Sequence, residues 1–124
     1  MKMQPDRLEG ANLISRLEAP RIWVHQTVFT GSVLVPHRGL TQAWPPTRFE
    51  ELDEHHFEQV LGLRPELVIL GTGRTLRFPR PALWRDLMSS GVGFEAMDTA
   101  AACRTFNVLA SEGRAVLAAL IIDD

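Results

Sequence analysis

Three short apolar runs, Leu67–Leu70, Phe94–Met97 and Val116–Ile122, alternate with segments of helical spacing through the second half of this chain. Leu67-Val68-Ile69-Leu70 sits between Pro65 and Gly71-Thr72-Gly73, the pattern of a strand covered on both faces. A helix starting near Pro79 or Pro81, where proline is tolerated in the first turn, carries Leu83, Leu87 and Met88 and stops at Gly91. A second helix is expected from Thr99 to Glu112, with Gly113 as its terminator. Such β-α-β-α-β alternation implies a largely parallel sheet with right-handed crossovers.

The first half reads differently. Ile22–Phe29 and Ser32–Val35 are rich in β-branched and apolar residues, with Thr30-Gly31 between them, so an N-terminal β-hairpin turning at that glycine is expected. Pro36 ends its second strand or holds it at an edge. A shorter extended piece, Leu40–Trp44, runs into Pro45-Pro46. Phe49, Leu52, Phe57, Val60 and Leu61 then fall at helical spacing, with a break near Asp53 and an end at Gly62. The hairpin adds antiparallel strands to the parallel set, and a mixed α/β sandwich follows. With 124 residues, a single domain is expected over 21–124, and the polar stretch 1–20 is expected to fray in part.

Composition narrows the function classes. Apolar residues make up 45% and charged residues 23%, values of an ordinary globular protein. Thirteen basic against fifteen acidic residues give a net charge of -2, without the basic excess that a nucleic-acid partner would call for. Residues 1–7 lack the apolar stretch of a signal peptide, and no run approaches the roughly 18 apolar residues of a membrane span. A soluble, cytoplasmic protein without membrane insertion is the expectation. The lone Cys103 excludes an internal disulfide and any multi-cysteine metal site.

In an open α/β sheet the ligand position lies beyond the carboxyl ends of the strands, which directs attention to the residues after Leu70 and Met97. Gly71-Thr72-Gly73 brings backbone amides together, and Arg74, Arg77 and Arg80 add positive charge, so a small anionic ligand is one expectation. The alternative is a glycine turn with solvated arginines: position 76 is leucine where a dinucleotide fingerprint needs glycine, and no phosphate-loop lysine is present. Asp98 and Thr99 open the last helix, as caps or as ligand groups. Arg104 and Asn107, three residues apart, would share one side of it, facing the crevice or solvent. The tentative ligand set is therefore Gly71, Thr72, Gly73, Arg74, Asp98, Thr99, Arg104 and Asn107.

Other candidates are weaker. Cys103 falls on the apolar stripe of the last helix with Ala102, Phe106, Leu109 and Ala110 and is expected to be buried and inert. Adjacent His55 and His56 point about 100° apart on a helix and do not form a metalloprotease pair. Neither a metal site nor a cofactor is expected. Trp44 is either an exposed ledge for a partner or a cover over one end of the core. No complete catalytic constellation is readable, so an enzyme is not favoured.

Gly71-Thr72-Gly73 after an apolar strand, followed by the stretch Gly91–Arg114, resembles domain-of-unknown-function family 498, which includes the mitochondrial respiratory complex I assembly factor 3. The likeness runs from about Ile22 to Ile121, and Met97–Gly113 is its specific part. The resemblance implies a three-layer α/β sandwich with a mixed, partly parallel central sheet and an added hairpin. It also implies a non-catalytic protein-binding or assembly-type module and a protein partner, but no reaction.

Overall fold

The computed structural model describes residues 10–123, whose strands and α-helices run β1 (Ile14–Glu18), β2 (Arg21–Val24), β3 (Thr27–Thr30), β4 (Val33–Pro36), β5 (Gln42–Ala43), α1 (Glu54–Gly62), β6 (Leu67–Gly71), α2 (Arg85–Ser89), β7 (Gly93–Met97), α3 (Thr99–Ser111) and β8 (Val116–Leu120). Short 3₁₀ turns at Phe49–Glu51 and Pro81–Trp84 precede α1 and α2. The break near Asp53 is a helix start. Asp53 Oδ1 accepts from the His55 and His56 N–H groups, while His56 Nδ1 accepts from the Asp53 N–H. This reciprocal cap satisfies donors that the first turn leaves orphaned.

Five strands form one mixed sheet in the order β5-β4-β8-β6-β7. β8 is buried at all five positions. It can be so because β6 pairs with it in parallel on one edge and β4 antiparallel on the other, with cover on both faces. From β6 the chain moves outward through α2 to β7, then back across β6 through α3 to β8. Crossovers in opposite directions with a single handedness need helices on opposite faces. That is what the packing shows: Phe57, Val60 and Leu87 of α1 and α2 meet Val68, Leu70, Leu117 and Ala119, whereas Ala102, Cys103, Phe106 and Ala110 of α3 meet Ile69, Val116, Ala118 and Leu120. The result is a mixed α/β fold in three layers.

A second, three-stranded antiparallel sheet, β1-β2-β3, lies on the α3 side, where Ile14, Ile22 and Val24 join the core. Here one expectation changes. The N-terminal hairpin turns at His25-Gln26 between β2 and β3, with His25 at φ +54°, and not at Thr30-Gly31. Gly31, at φ +92°, instead passes the chain from the small sheet to the large one. The physical reason is burial. Val33, Leu34 and Val35 are all enclosed and need a place inside the large sheet, beside β8, while Val28 and the threonines of β3 suit an outer ribbon. Within the stretch 1–20, β1 pairs with β2 and packs on α3. Residues 1–9 lie outside the described residues.

Candidate functional site at the carboxyl ends of the parallel strands

β6 and β7 lie side by side in parallel, Leu70 opposite Ala96 and Gly71 opposite Met97, so the turns that follow them share one rim. Close packing explains the first glycine: a Cβ at Gly71 would come within 2.9 Å of Thr99 Oγ1 and 3.1 Å of Thr99 Cα. Gly73 has φ +105° and lies against the carboxylate of Asp123, which follows the last strand. Thr72 N–H donates to Met97 O (2.8 Å) and Gly73 N–H donates to Thr99 Oγ1 (2.8 Å). The Thr99 hydroxyl donates in turn to Ile121 O (2.7 Å), joining the ends of β6, α3 and β8. The Thr72 hydroxyl donates to Thr75 O (2.7 Å) and accepts from the Arg77 N–H (3.1 Å), which folds the next segment back on itself.

Between this rim and the β1-β2 turn lies a cleft of about 210 Å³. Its floor is apolar, formed by Leu17, Ala19, Ala100, Ile121 and Ile122, and its charged groups are Asp98, Asp123 and Arg74. An anion would need donors that this geometry has already used. The Thr72 and Gly73 amides are bonded within the rim, and Asp98 Oδ1 caps α3 by accepting from the Ala101 N–H (2.9 Å). Two carboxylates face one guanidinium there, a balance that does not suit a small anionic ligand.

Of the eight residues expected to form a ligand set, the structure brings Gly73, Arg74, Asp98 and Thr99 to the cleft, with Gly71 and Thr72 packed behind them. It does not bring Arg104 or Asn107. Arg104 is exposed on α3. Asn107 faces β1, its Oδ1 accepting from the Ile14 N–H (2.8 Å) and its Nδ2 donating to Ile14 O (2.9 Å). That bidentate clasp fastens the small sheet to the helix across 93 positions of sequence. Asp123, by contrast, was missed. It lies three residues past β8 as Arg74 lies three past β6, and the strand-end rule applied to the third strand would have found it.

Cys103 is buried against the sheet, and burial pushes its thiol up to about 12 from the ordinary 9.0. The thiolate is the reactive form, so the folded protein is expected to leave an aromatic disulfide reagent unreacted at pH 8, with one thiol released on unfolding in guanidinium. Rapid labelling of the native protein would contradict this. The raised value also makes stability fall as pH climbs from about 9 toward about 12, because only the unfolded chain then gives up its proton.

Among the described residues, no three histidine, cysteine or carboxylate side chains converge as metal ligands. Trp44 belongs to the core, edge-on to Phe57 and His56, so of its two readings the interface ledge gives way.

The exposed apolar feature of this end of the molecule is the segment after Gly73. Leu76 is 49% exposed and Phe78 is 75% exposed, with Arg77 and Arg80 on either side of Phe78. Arg77 pairs with Glu50 and lies over the Phe49 ring at 5.5 Å. Its hydrogen bond holds the Glu50 carboxyl below the usual carboxylate range. The loop is thus stapled at Thr72 and Arg77, and Phe78, which follows directly, is held out in solvent.

Residues 14–121 match the model of the family described as protein of unknown function (DUF498/DUF598). The chain belongs to this family. Its relatives include the NADH dehydrogenase (ubiquinone) 1 alpha subcomplex assembly factor 3 of Mus musculus, 34% identical over 96 residues, which are 76% of this chain and 51% of the mouse protein. The chain spans about half the length of the curated relatives it matches. Among solved structures, a Bordetella parapertussis protein superposes with a TM-score of 0.85 at 36% identity, covering 92% of this chain and 98% of that one. A Bordetella pertussis protein described as a Mth938-like domain gives 0.83 at 31% identity, covering 98% and 92%. Among the described residues, no helix of this DUF498 protein is long and apolar enough to cross a membrane.

Proposed function

We propose that this chain is a non-catalytic protein-binding module that serves in the assembly of a multisubunit complex, docking through its strand-end face. The observation that carries the reading is the exposure of Leu76 and Phe78 on the loop whose first residues, Gly73 and Arg74, wall the apolar cleft. A large aromatic held in solvent between arginines has the character of an interface anchor, since aromatic and arginine residues dominate binding energy where they become buried. The names of the relatives support the assembly role and suggest subunits of an NADH dehydrogenase as the partner class. A cytoplasmic location belongs to the same proposal, to be checked by fractionation of cells.

The test compares tagged wild-type chain with Phe78→Asp as bait in a native extract, by quantitative mass spectrometry. Wild type is expected to retain subunits of one multisubunit enzyme in stoichiometric amount, and Phe78→Asp to lose them about tenfold or more, the ratio given by about 1.4 kcal/mol. Recovery of no stoichiometric protein under several conditions, or of the same set by both baits, would overturn the reading.

A further inference from the structure

We propose that the strand-end face also closes on a second copy of this chain, the Phe78 loop of each copy entering the cleft of the other about a twofold axis. This pairing presupposes that the face is a docking surface, as argued above, and names one occupant for it.

The face carries both halves of a complementary contact. Its projecting half is Phe78, flanked by Arg77 and Arg80. Arg80 makes no ion pair with any described residue. Its receiving half is the cleft of about 210 Å³, apolar at the floor and bearing Asp98, Asp123 and Arg74. An apolar cavity of about 150 Å³ already accepts a benzene ring, so a phenylalanine ring fits the space. Two carboxylates against one guanidinium leave the cleft an excess of negative charge, and Arg80 beside the ring is of the opposite sign.

The loop that bears Phe78 also adjoins the cleft. Gly73 and Arg74 wall the cleft where the loop begins, and Arg77 lines a neighbouring hollow with Ile122 and Asp123, two residues that the cleft shares. A patch that carries adjacent, mutually complementary parts satisfies itself twice under a twofold rotation, once for each copy. The same distribution disfavours an anionic lipid surface, because Asp98, Asp123 and Glu50 stand among the arginines and would be repelled by it.

Sedimentation velocity decides the question. At about 100 µM, where a micromolar association is saturated, wild type is expected to sediment with twice the chain mass, and Phe78→Asp as a monomer. Arg80→Glu and Asp123→Arg are each expected to weaken the dimer about tenfold or more, and an equimolar mixture of the two to recover it, since both contacts across the axis then pair opposite charges. Recovery on mixing is an outcome that local damage to either chain would not produce. A wild-type monomer at this concentration overturns the pairing, and so does a dimer indifferent to Phe78→Asp. Co-sedimentation of the wild-type monomer with phosphatidylglycerol vesicles, lost in Phe78→Asp, would likewise overturn it in favour of a lipid occupant. If wild type is monomeric and still loses its complex subunits on Phe78→Asp, the pairing fails while the assembly reading stands. A dimer that follows the charge-swap pattern, with extract partners unaffected by Phe78→Asp, supports the pairing and sinks the assembly reading.

Discussion

Phe106→Ala is expected to lower the free energy of unfolding by about 3–5 kcal/mol, the usual cost of truncating a buried aromatic to alanine. For a chain of this size that corresponds to a fall in Tm of roughly 10–20 °C. Phe106 is 0% exposed and is the side chain of α3 around which the two sheets meet: Ile14, Ile22 and Val24 from the small one, Ile69, Val116, Ala118 and Leu120 from the large one. Its helical neighbours in that core are Ala102, Cys103 and Ala110, and small residues have no reach with which to refill the space. The cavity should therefore persist, and it is the persistent cavity that raises the cost above simple transfer. Urea unfolding followed by circular dichroism measures the change, with Val28→Ala, on the exposed side of β3, as a control expected within about 0.5 kcal/mol of wild type. A loss below about 1 kcal/mol for Phe106→Ala would mean that α3 and the small sheet collapse onto each other without it.

The same region shows what the sequence could and could not convey. Val116–Leu120, Leu67–Gly71 and Gly93–Met97 were legible as parallel strands because glycine turns bound them and helical spacing separates them. Their adjacency places Gly71, Thr72, Gly73, Asp98 and Thr99 at one rim by topology alone. The hairpin was misplaced for a physical reason. Ile22–Phe29 and Val33–Val35 have the same β-branched character, and only the enclosure of the second run beside a strand 85 residues away distinguishes them. The true turn has no glycine: His25 takes the positive φ, and composition does not announce it. Asn107 was invisible as a clasp because its partner, the Ile14 backbone, has no side-chain signature. Four arginines could be read at Arg74, Arg77, Arg80 and Arg104, but their spacing does not say that Asp123 returns to the first of them across the cleft. Sequence thus conveyed where a site could lie, whereas the sign of its charge came from the fold.

Thr99→Val is expected to cost about 2–4 kcal/mol, because it keeps the shape of the side chain and removes two hydrogen bonds at once. The hydroxyl is in a residue only 4% exposed; it accepts from the Gly73 N–H and donates to Ile121 O. Valine leaves both backbone groups buried and unpaired, and each orphan carries its own desolvation penalty. Thr99→Ser separates this from packing. Serine retains the hydroxyl and loses one methyl group, for an expected cost of about 1 kcal/mol. Amide exchange adds a local readout, since the Gly73 N–H should exchange much faster in Thr99→Val than in wild type and nearly normally in Thr99→Ser. Equal losses in the two variants, with Gly73 protected in both, would show that the methyl and not the hydroxyl holds the three strand ends together. With the predicted difference, the rim that faces the cleft is set by one buried threonine, and the loop bearing Phe78 projects from a rigid base.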